Sequence, residues 1–382
     1  MMKIYLRDYD YTETLSTDFP MTMFQIQDTL DRHGNRRNDN TVKFMLSQFE
    51  NLNLPQSMCS REFTADIYRL NLFADRFEKL ESAEKAVFKC LVRANPDCTF
   101  EEMLSMTFGL DSVPVFPCSE YHELGEMVIE NEMMPELSDC PDELLELLDR
   151  DKIGRLQAER EGGRFEDGYY CEPSCYVQPD VEITIGKPER CVFRILAVPK
   201  DGEPTDAQWV SLPCSREKLF ELYDMVCCDF ESALPMITKE SFGDMHRIGV
   251  LNELAEKVMQ RDYYSLRMLK AVMSAENVTE IGQAIDCIDR LSEYDFHANV
   301  RNESDFGREF LMRNLPTNFP VSVLDRIDLQ DFGAKMAEQT GCVLTPYGAV
   351  SAAGQELYRT FVNEPAEEET ESEEMEMGGM SL

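Results

Sequence analysis

The spacing of apolar positions changes from strand-like to helical along the chain, and this change occurs twice. Alternating apolar residues predict strands at residues 4–9, 191–198 and 207–212. Apolar residues three and four positions apart predict helices at 42–49, 63–80, 83–94 and 100–106, and again at 216–227, 250–261, 264–274, 281–291, 304–313 and 329–339. Residues 342–346 and 347–350 fit a closing strand and turn. The pattern therefore predicts an α+β fold with small sheets and several helices.

Matching segments suggest that the second half repeats the first. RLNLFADRFEKL at residues 69–80 aligns with VLNELAEKVMQR at 250–261, an offset of 181. YHELGEMVIEN at 121–131 aligns with ESDFGREFLMR at 303–313, and the helical segment around Gly154 aligns with the one around Gly333. The matches keep their order at nearly constant offset, so we predict a tandem duplication.

Composition places the boundaries of the two modules. A stretch rich in Gly and Pro divides the chain near its middle, and it predicts a linker at residues 166–187 between modules at 1–165 and 188–360. From residue 363 onward the chain carries eight acids and no Lys or Arg. A segment of this kind cannot bury enough apolar surface to fold, so we expect residues 361–382 to form a disordered acidic tail.

The net charge limits the classes of partner that the protein can bind directly. The chain has 37 Lys and Arg against 73 Asp and Glu, which gives −36 at pH 7. Direct binding to nucleic acid or to an anionic membrane is disfavoured, because both need basic residues. No apolar stretch approaches the ~18 residues of a membrane span. We expect a soluble cytoplasmic protein.

The common catalytic and ligand-binding motifs are absent from the sequence. It contains no GxSxG, no phosphate-binding glycine loop, no HExxH and no EF-hand loop. Cys171 and Cys175 form a CxxxC pair without a second pair nearby, and His122 and His297 are interpreted as surface or capping residues. We therefore expect no enzymatic activity, no cofactor and no metal site.

Acidic residues are densest at residues 101–150, which hold fourteen acids and one base. Helical apolar positions such as Val128, Leu144, Leu145 and Leu148 are interleaved with them, so one face should be buried and the other should carry carboxylates. One interpretation is a solvated face that aids solubility. The other is that the carboxylates imitate phosphates: a charge of −36 matches roughly 60 Å of duplex, and an extended shape would relieve the self-repulsion.

The second interpretation yields a set of candidate partner-binding acids. In the first half they are Glu101, Glu102, Asp111, Glu120, Glu123, Glu126, Glu130, Glu132, Glu136, Asp139, Asp142, Glu143, Glu146 and Asp149; in the second they are Asp295, Glu303, Asp305, Glu309, Asp325, Asp328 and Asp331.

The second half resembles the ArdA antirestriction family. The resemblance rests on a strand-rich opening that ends in WVSLPCSREKL at residues 209–219, followed by LNELAEKV at 251–258. YDFHANVRNESDFGREFL at 294–311 is similar to the family's tyrosine-centred stretch, and VLDRIDLQDFGAKM at 323–336 is similar to its antirestriction region. GCVLTPYGAV at 341–350 resembles its terminal strand and turn. The first half would be a diverged copy.

The resemblance implies a function. ArdA proteins are elongated, dimeric, non-catalytic mimics of bent DNA that occupy the DNA-binding channel of type I restriction–modification enzymes. By position, Asp325, Asp328 and Asp331 would belong to the antirestriction region. Two modules in one chain could form an internal pseudo-dimer, or the chain could form a homodimer. The alternative is an acidic accessory protein of a mobile element without DNA mimicry.

Overall fold

The computed structural model describes residues 2–7, 14–33, 40–45, 58, 61–137, 140–185, 190–315, 321–324 and 326–353. They divide into two compact units, the first drawn from 1–193 and 231–233 and the second from 194–230 and 234–382. Both units combine helices with small sheets, so the predicted α+β class is confirmed. The predicted tail lies outside the described residues, and the proposed module boundaries stay predictions. No helix in the described ranges has the length and apolar character needed to cross a bilayer.

The first unit begins with a four-stranded sheet covered by helices. The sheet has the order β2-β1-β3-β4, with β1 at Met2–Arg7, β2 at Thr14–Phe19, β3 at Thr41–Met45 and β4 at Glu62–Asp66. The helices are α1 at Met23–His33, α2 at Ile67–Lys79, α3 at Ser82–Ala94 and α4 at Phe100–Met106. Aromatic rings form the centre of this core, where Phe73 lies 5.7 Å from both Phe88 and Phe100 between ring centroids.

A second, smaller layer of the first unit carries the densest acidic sequence. Its helices are α5 at Tyr121–Glu130, α6 at Asp142–Leu145 and α7 at Arg150–Glu161. Its sheet has the order β5-β7-β6, with β5 at Val115–Phe116, β6 at Arg164–Glu166 and β7 at Tyr169–Cys171. Leu124, Val128, Ala158 and Tyr170 form a separate buried cluster that holds α5 and α7 on this sheet.

The second unit has the same two-layer plan. Its first sheet has the order β10-β8-β9, with β8 at Phe193–Pro199, β9 at Gln208–Leu212 and β10 at Met225–Ser232. Its helices are α8 at Arg216–Leu222, α9 at Lys239–Phe242, α10 at Ile248–Met259, α11 at Tyr263–Ala275, α12 at Ile281–Asp289, α13 at Glu303–Asn314, α14 at Val321–Leu324 and α15 at Leu329–Thr340. Its second sheet has the order β11-β13-β12, with β11 at Tyr294–His297, β12 at Val343–Thr345 and β13 at Gly348–Ala352.

Positions matched in the sequence make the same contacts in the two units. The backbone N–H of Met21 donates to the Asn71 side chain at 2.6 Å, and that of Cys214 donates to the Asn252 side chain at 2.8 Å. Both asparagines lie 181 residues apart on the matched helices α2 and α10. Each asparagine thus attaches the residue after a cis proline to a core helix, while the tandem duplication stays a prediction.

Three predicted helices are wrong in part. The described part of the predicted helix 42–49 is strand β3, because Val42 and Phe44 alternate with more exposed residues and are buried on one face. The predicted helix 63–80 begins as strand β4, and the helix starts only after the Asp66 cap. The predicted helix 216–227 ends at Leu222, and residues from Met225 onward form β10. Short apolar runs fit both periods, and pairing with a neighbouring strand decided the outcome.

Candidate functional site

Two helices of the first unit cross at glycines, and the crossing positions the acids of residues 120–151. A Cβ atom on Gly125 of α5 would lie 1.9 Å from the carbonyl oxygen of Arg150, and one on Gly154 of α7 would lie 2.0 Å from that of Tyr121. Only glycine fits at either position without forcing the helices apart. Because each glycine faces the first turn of the other helix, the two N-terminal turns lie side by side.

The second unit repeats this crossing with α13 and α15. A Cβ atom on Gly307 would lie 2.6 Å from the Leu329 carbonyl oxygen, and one on Gly333 would lie 1.8 Å from that of Glu303. An open pocket of about 340 Å³ lies beside the crossing and is lined by Glu303, Asp328, Gln330, Asp331 and Ala334. The predicted antirestriction acids Asp328 and Asp331 therefore lie next to Glu303.

Several of the predicted acids cap helices. The Asp149 carboxylate accepts from the Lys152 backbone N–H at 3.2 Å, and Asp328 accepts from that of Asp331 at 3.1 Å, so both begin matched helices. The Glu123 carboxylate accepts from the backbone N–H and the hydroxyl of Ser119 at 2.7 and 2.8 Å. The Glu102 carboxylate accepts from the backbone N–H and the hydroxyl of Thr99 at 2.6 and 3.0 Å. These hydrogen bonds stabilise the charged forms and lower the pKa of Glu123 and of Glu102.

Every first-unit candidate whose side chain is described is exposed. These residues, which we call the first acidic surface, are Glu101, Glu102, Asp111, Glu120, Glu123, Glu126, Glu130, Glu132, Glu136, Glu143, Glu146 and Asp149. Asp139 lies outside the described residues, and only the backbone of Asp142 is described.

Basic side chains neutralise part of the first acidic surface. Glu101 pairs with Arg69, Glu126 pairs with Arg150 at 3.3 Å, and Glu136 pairs with Arg160 at 3.4 Å between nitrogen and oxygen. Exposed pairs of this kind contribute little to stability, so these carboxylates remain available to a competing cation.

Other acids of the first acidic surface have no basic partner in the part of the chain that the structure describes. They are Asp111, Glu120, Glu130, Glu132, Glu143 and Glu146. Their charges are exposed, and none of these side chains caps a helix. They are the carboxylates most available to an external partner.

The second-unit candidates, which we call the second acidic surface, are less available. Asp295, Asp328 and Asp331 are exposed, whereas Glu303, Asp305 and Glu309 are only half-exposed. The Asp331 carboxylate lies 2.6 Å from the ammonium of Lys335. Asp325 lies outside the described residues.

Glu309 of the second acidic surface is paired with both a histidine and an arginine. Its carboxylate lies 3.0 Å from Nδ1 of His297 and also pairs with Arg313. The hydrogen bond with His297 lowers the pKa of Glu309, and the Arg313 charge adds to the effect. Its position and partners indicate a structural role in joining α13 to strand β11.

The interpretation of both histidines as surface or capping residues is right for one and wrong for the other. His122 is half-exposed on α5, with ring nitrogens 3.8 Å from Glu126 and 3.3 Å from Asp151. His297 is only 12% exposed, and its Nε2 atom is buried without a hydrogen-bond partner. Nothing in the sequence around His297 signals this burial, because the partner Glu309 comes from a different element.

The apolar residues interleaved with the acids are not all buried, as the prediction had them. Val128 is buried and Leu145 and Leu148 are half-buried, but Leu144 is exposed, so its assignment to the buried face is wrong. Leu147 and Leu156 are exposed as well. Sequence periodicity did not separate Leu144 and Leu147 from the buried positions because α6 has only four residues and the turn after it breaks the helical period.

The described residues contain no group of three His, Cys, Asp or Glu side chains placed to hold a metal ion. Cys171 is buried and Cys175 is exposed. Neither the protein-family models nor the curated proteins include a match to this chain.

Proposed function

We propose that this protein is a DNA-mimicking inhibitor of a host defence system. It would act in the cytoplasm by occupying the DNA-binding channel of type I restriction–modification enzymes, the activity implied by the resemblance to ArdA proteins. Its carboxylates would take the place of phosphates, and the partner would be a basic DNA-binding enzyme.

The observation that carries the proposal is the exposure of the first acidic surface, together with the lack of a basic partner for six of its acids within the described residues. Glu120, Glu130, Glu143 and Glu146 are exposed and have no basic partner in the described chain. Lys and Arg side chains of a DNA-binding channel could pair with them without first breaking internal ion pairs. Arg recognises carboxylate and phosphate with the same paired hydrogen bonds.

Electrostatics would also set the kinetics of this inhibitor. A net charge of −36 attracts a basic channel over a distance, which speeds association. Salt screens this attraction over about 8–10 Å, so inhibition should weaken as salt is added.

The experiment is displacement of a labelled duplex from a purified type I restriction–modification enzyme. The full-length protein should displace the duplex at near-stoichiometric concentration. A variant with Glu120→Gln, Glu130→Gln, Glu143→Gln and Glu146→Gln should need at least about tenfold more protein, because it lacks four unpaired charges.

A matched control variant distinguishes the effect of charges on the first acidic surface from the effect of net charge. Asp201→Asn, Glu253→Gln, Asp286→Asn and Glu338→Gln change the net charge equally at exposed positions outside both acidic surfaces. This variant should inhibit almost as well as the unmodified chain. Absence of displacement by the unmodified chain would contradict the proposal and favour the accessory-protein alternative.

A further inference from the structure

The segment at residues 141–148 presents leucines to solvent in the middle of the first acidic surface. Leu144 is 52% exposed and Leu147 is 79% exposed. Single exposed leucines are common, but two exposed leucines three positions apart place more apolar surface in solvent on one short segment. A partner that covers both side chains removes their apolar surface from water, which favours binding.

The backbone of this segment is ordered by its own hydrogen bonds. The N–H groups of Leu144 and Leu147 donate to the carbonyls of Pro141 and Leu144 at 2.9 and 3.1 Å, and that of Leu148 donates to Leu145 at 3.3 Å. Leu145 and Leu148 are half-buried. The segment therefore holds two leucines toward the first unit and two away from it.

Acidic side chains alternate with the exposed leucines. Glu143 and Glu146 each precede one of them, and both are exposed without a basic partner in the described chain. An apolar surface with carboxylates at these positions is complementary to an apolar depression with Lys or Arg at its rim. The charge thus selects a basic protein surface as the occupant.

The matched segment of the second unit has other residues at the positions of the exposed leucines and glutamates. Val321–Leu324 likewise forms a four-residue helix, and Asp328 caps the next helix, α15. Val323 stands at the position of Leu144 and is 39% exposed, whereas Arg326 stands at that of Leu147 and Ser322 at that of Glu143. The first unit therefore carries extra apolar surface and extra negative charge at positions where the same local fold accepts other residues.

We infer that residues 141–148 are a docking surface for the basic partner, in which Leu144 and Leu147 enter an apolar depression while Glu143 and Glu146 pair with cations at its rim. This inference rests on the proposed function and adds a contact that duplex DNA does not make. Apolar burial is not screened by salt, so part of the affinity should persist when salt has removed the electrostatic part.

The test compares binding of full-length variants to a purified type I restriction–modification enzyme at low and high salt. Leu144→Ser with Leu147→Ser should weaken binding at least about tenfold, chiefly by faster dissociation, and should leave the salt dependence unchanged. Val177→Ser with Val250→Ser, which changes comparably exposed apolar side chains outside this segment, should bind like the unmodified chain. Thermal unfolding of each variant checks that it folds.

Each other outcome has a defined meaning. Unchanged affinity in the leucine variant, together with weaker binding of the four-residue glutamate variant, would overturn the docking surface and leave the proposed function standing. A leucine variant that loses only self-association would overturn it as well and would identify an interface between copies. If the unmodified chain does not bind the enzyme, both proposals fail.

Discussion

The first and second acidic surfaces are each built around a matched pair of crossed helices, α5 with α7 and α13 with α15, and yet differ in how many of their charges are paired. On the first, the described candidates are all exposed, and six of them, among them Glu120 at the N-cap of α5 and Glu130 on α5, have no basic partner among the residues that the structure describes. On the second, Glu309 is held by His297 and Arg313, and Asp331 is paired with Lys335. The same local fold can therefore hold its acids in internal ion pairs or leave them exposed at the surface. The number of Asp and Glu residues in a segment does not distinguish the two cases.

The largest expected effect concerns what the two surfaces share. Gly154→Ala and Gly333→Ala place a methyl group about 2 Å from a backbone oxygen, so each should lower the free energy of unfolding by about 3 kcal/mol. Urea unfolding followed by circular dichroism measures this change.

Gly282→Ala is the matched control, because it lies on α12 with no atom within 4 Å of the new methyl group. It should stabilise the protein slightly, since alanine favours a helix more than glycine does. Equal stability of the three variants would show that the crossings are not as close as described.

The next effect separates the two surfaces. Glu309→Gln removes the charge that pairs with His297 and Arg313, and it should cost about 1–2 kcal/mol of unfolding free energy. Glu130→Gln on the first acidic surface should change the free energy of unfolding by less than about 0.5 kcal/mol, because the side chain is exposed and has no basic partner among the described residues. If Glu130→Gln lowers the free energy of unfolding as much as Glu309→Gln does, the distinction between paired and exposed acids is wrong.

A smaller effect appears in the pH dependence of stability. The folded pKa of Glu309 is lowered, so its contribution is present above the unfolded pKa of about 4.3 and is lost as the pH falls through the folded value. Stability should therefore fall on acidification below about pH 5. Glu309→Gln should flatten that fall relative to the unmodified chain, whereas a parallel profile for the two would contradict the lowered pKa.

The sequence predicted much of the architecture because the relevant signals are local. Periodicity predicted α13 and α15, and internal alignment matched Gly154 with Gly333, whereas no helix was predicted at the positions of α5 and α7 from periodicity. β3 was missed because TVKFM also fits a helical period, and only pairing with β1 and β4 buries Val42 and Phe44 on one side. The hydrogen bond between His297 and Glu309 could not be predicted from the sequence either, because the two residues lie on different elements that only the fold brings together.

The acid list was predicted, but the availability of each acid was not. The caps at Glu123 and Asp149 could have been found from Ser119 and from the helix start at Arg150, because capping residues have local signatures. The exposure of Leu147 could not, because it depends on how the short helix α6 turns into α7.

We propose that the first acidic surface binds its partner at the site where DNA binds. Hydrogen–deuterium exchange of the full chain, free and bound to a purified type I restriction–modification enzyme, is the sharpest test of this proposal. We expect slower exchange at residues 120–149 on binding, little change at the matched residues 303–331, and loss of that protection when excess duplex DNA is added. Protection confined to the second unit, or protection that persists in excess duplex, would contradict it.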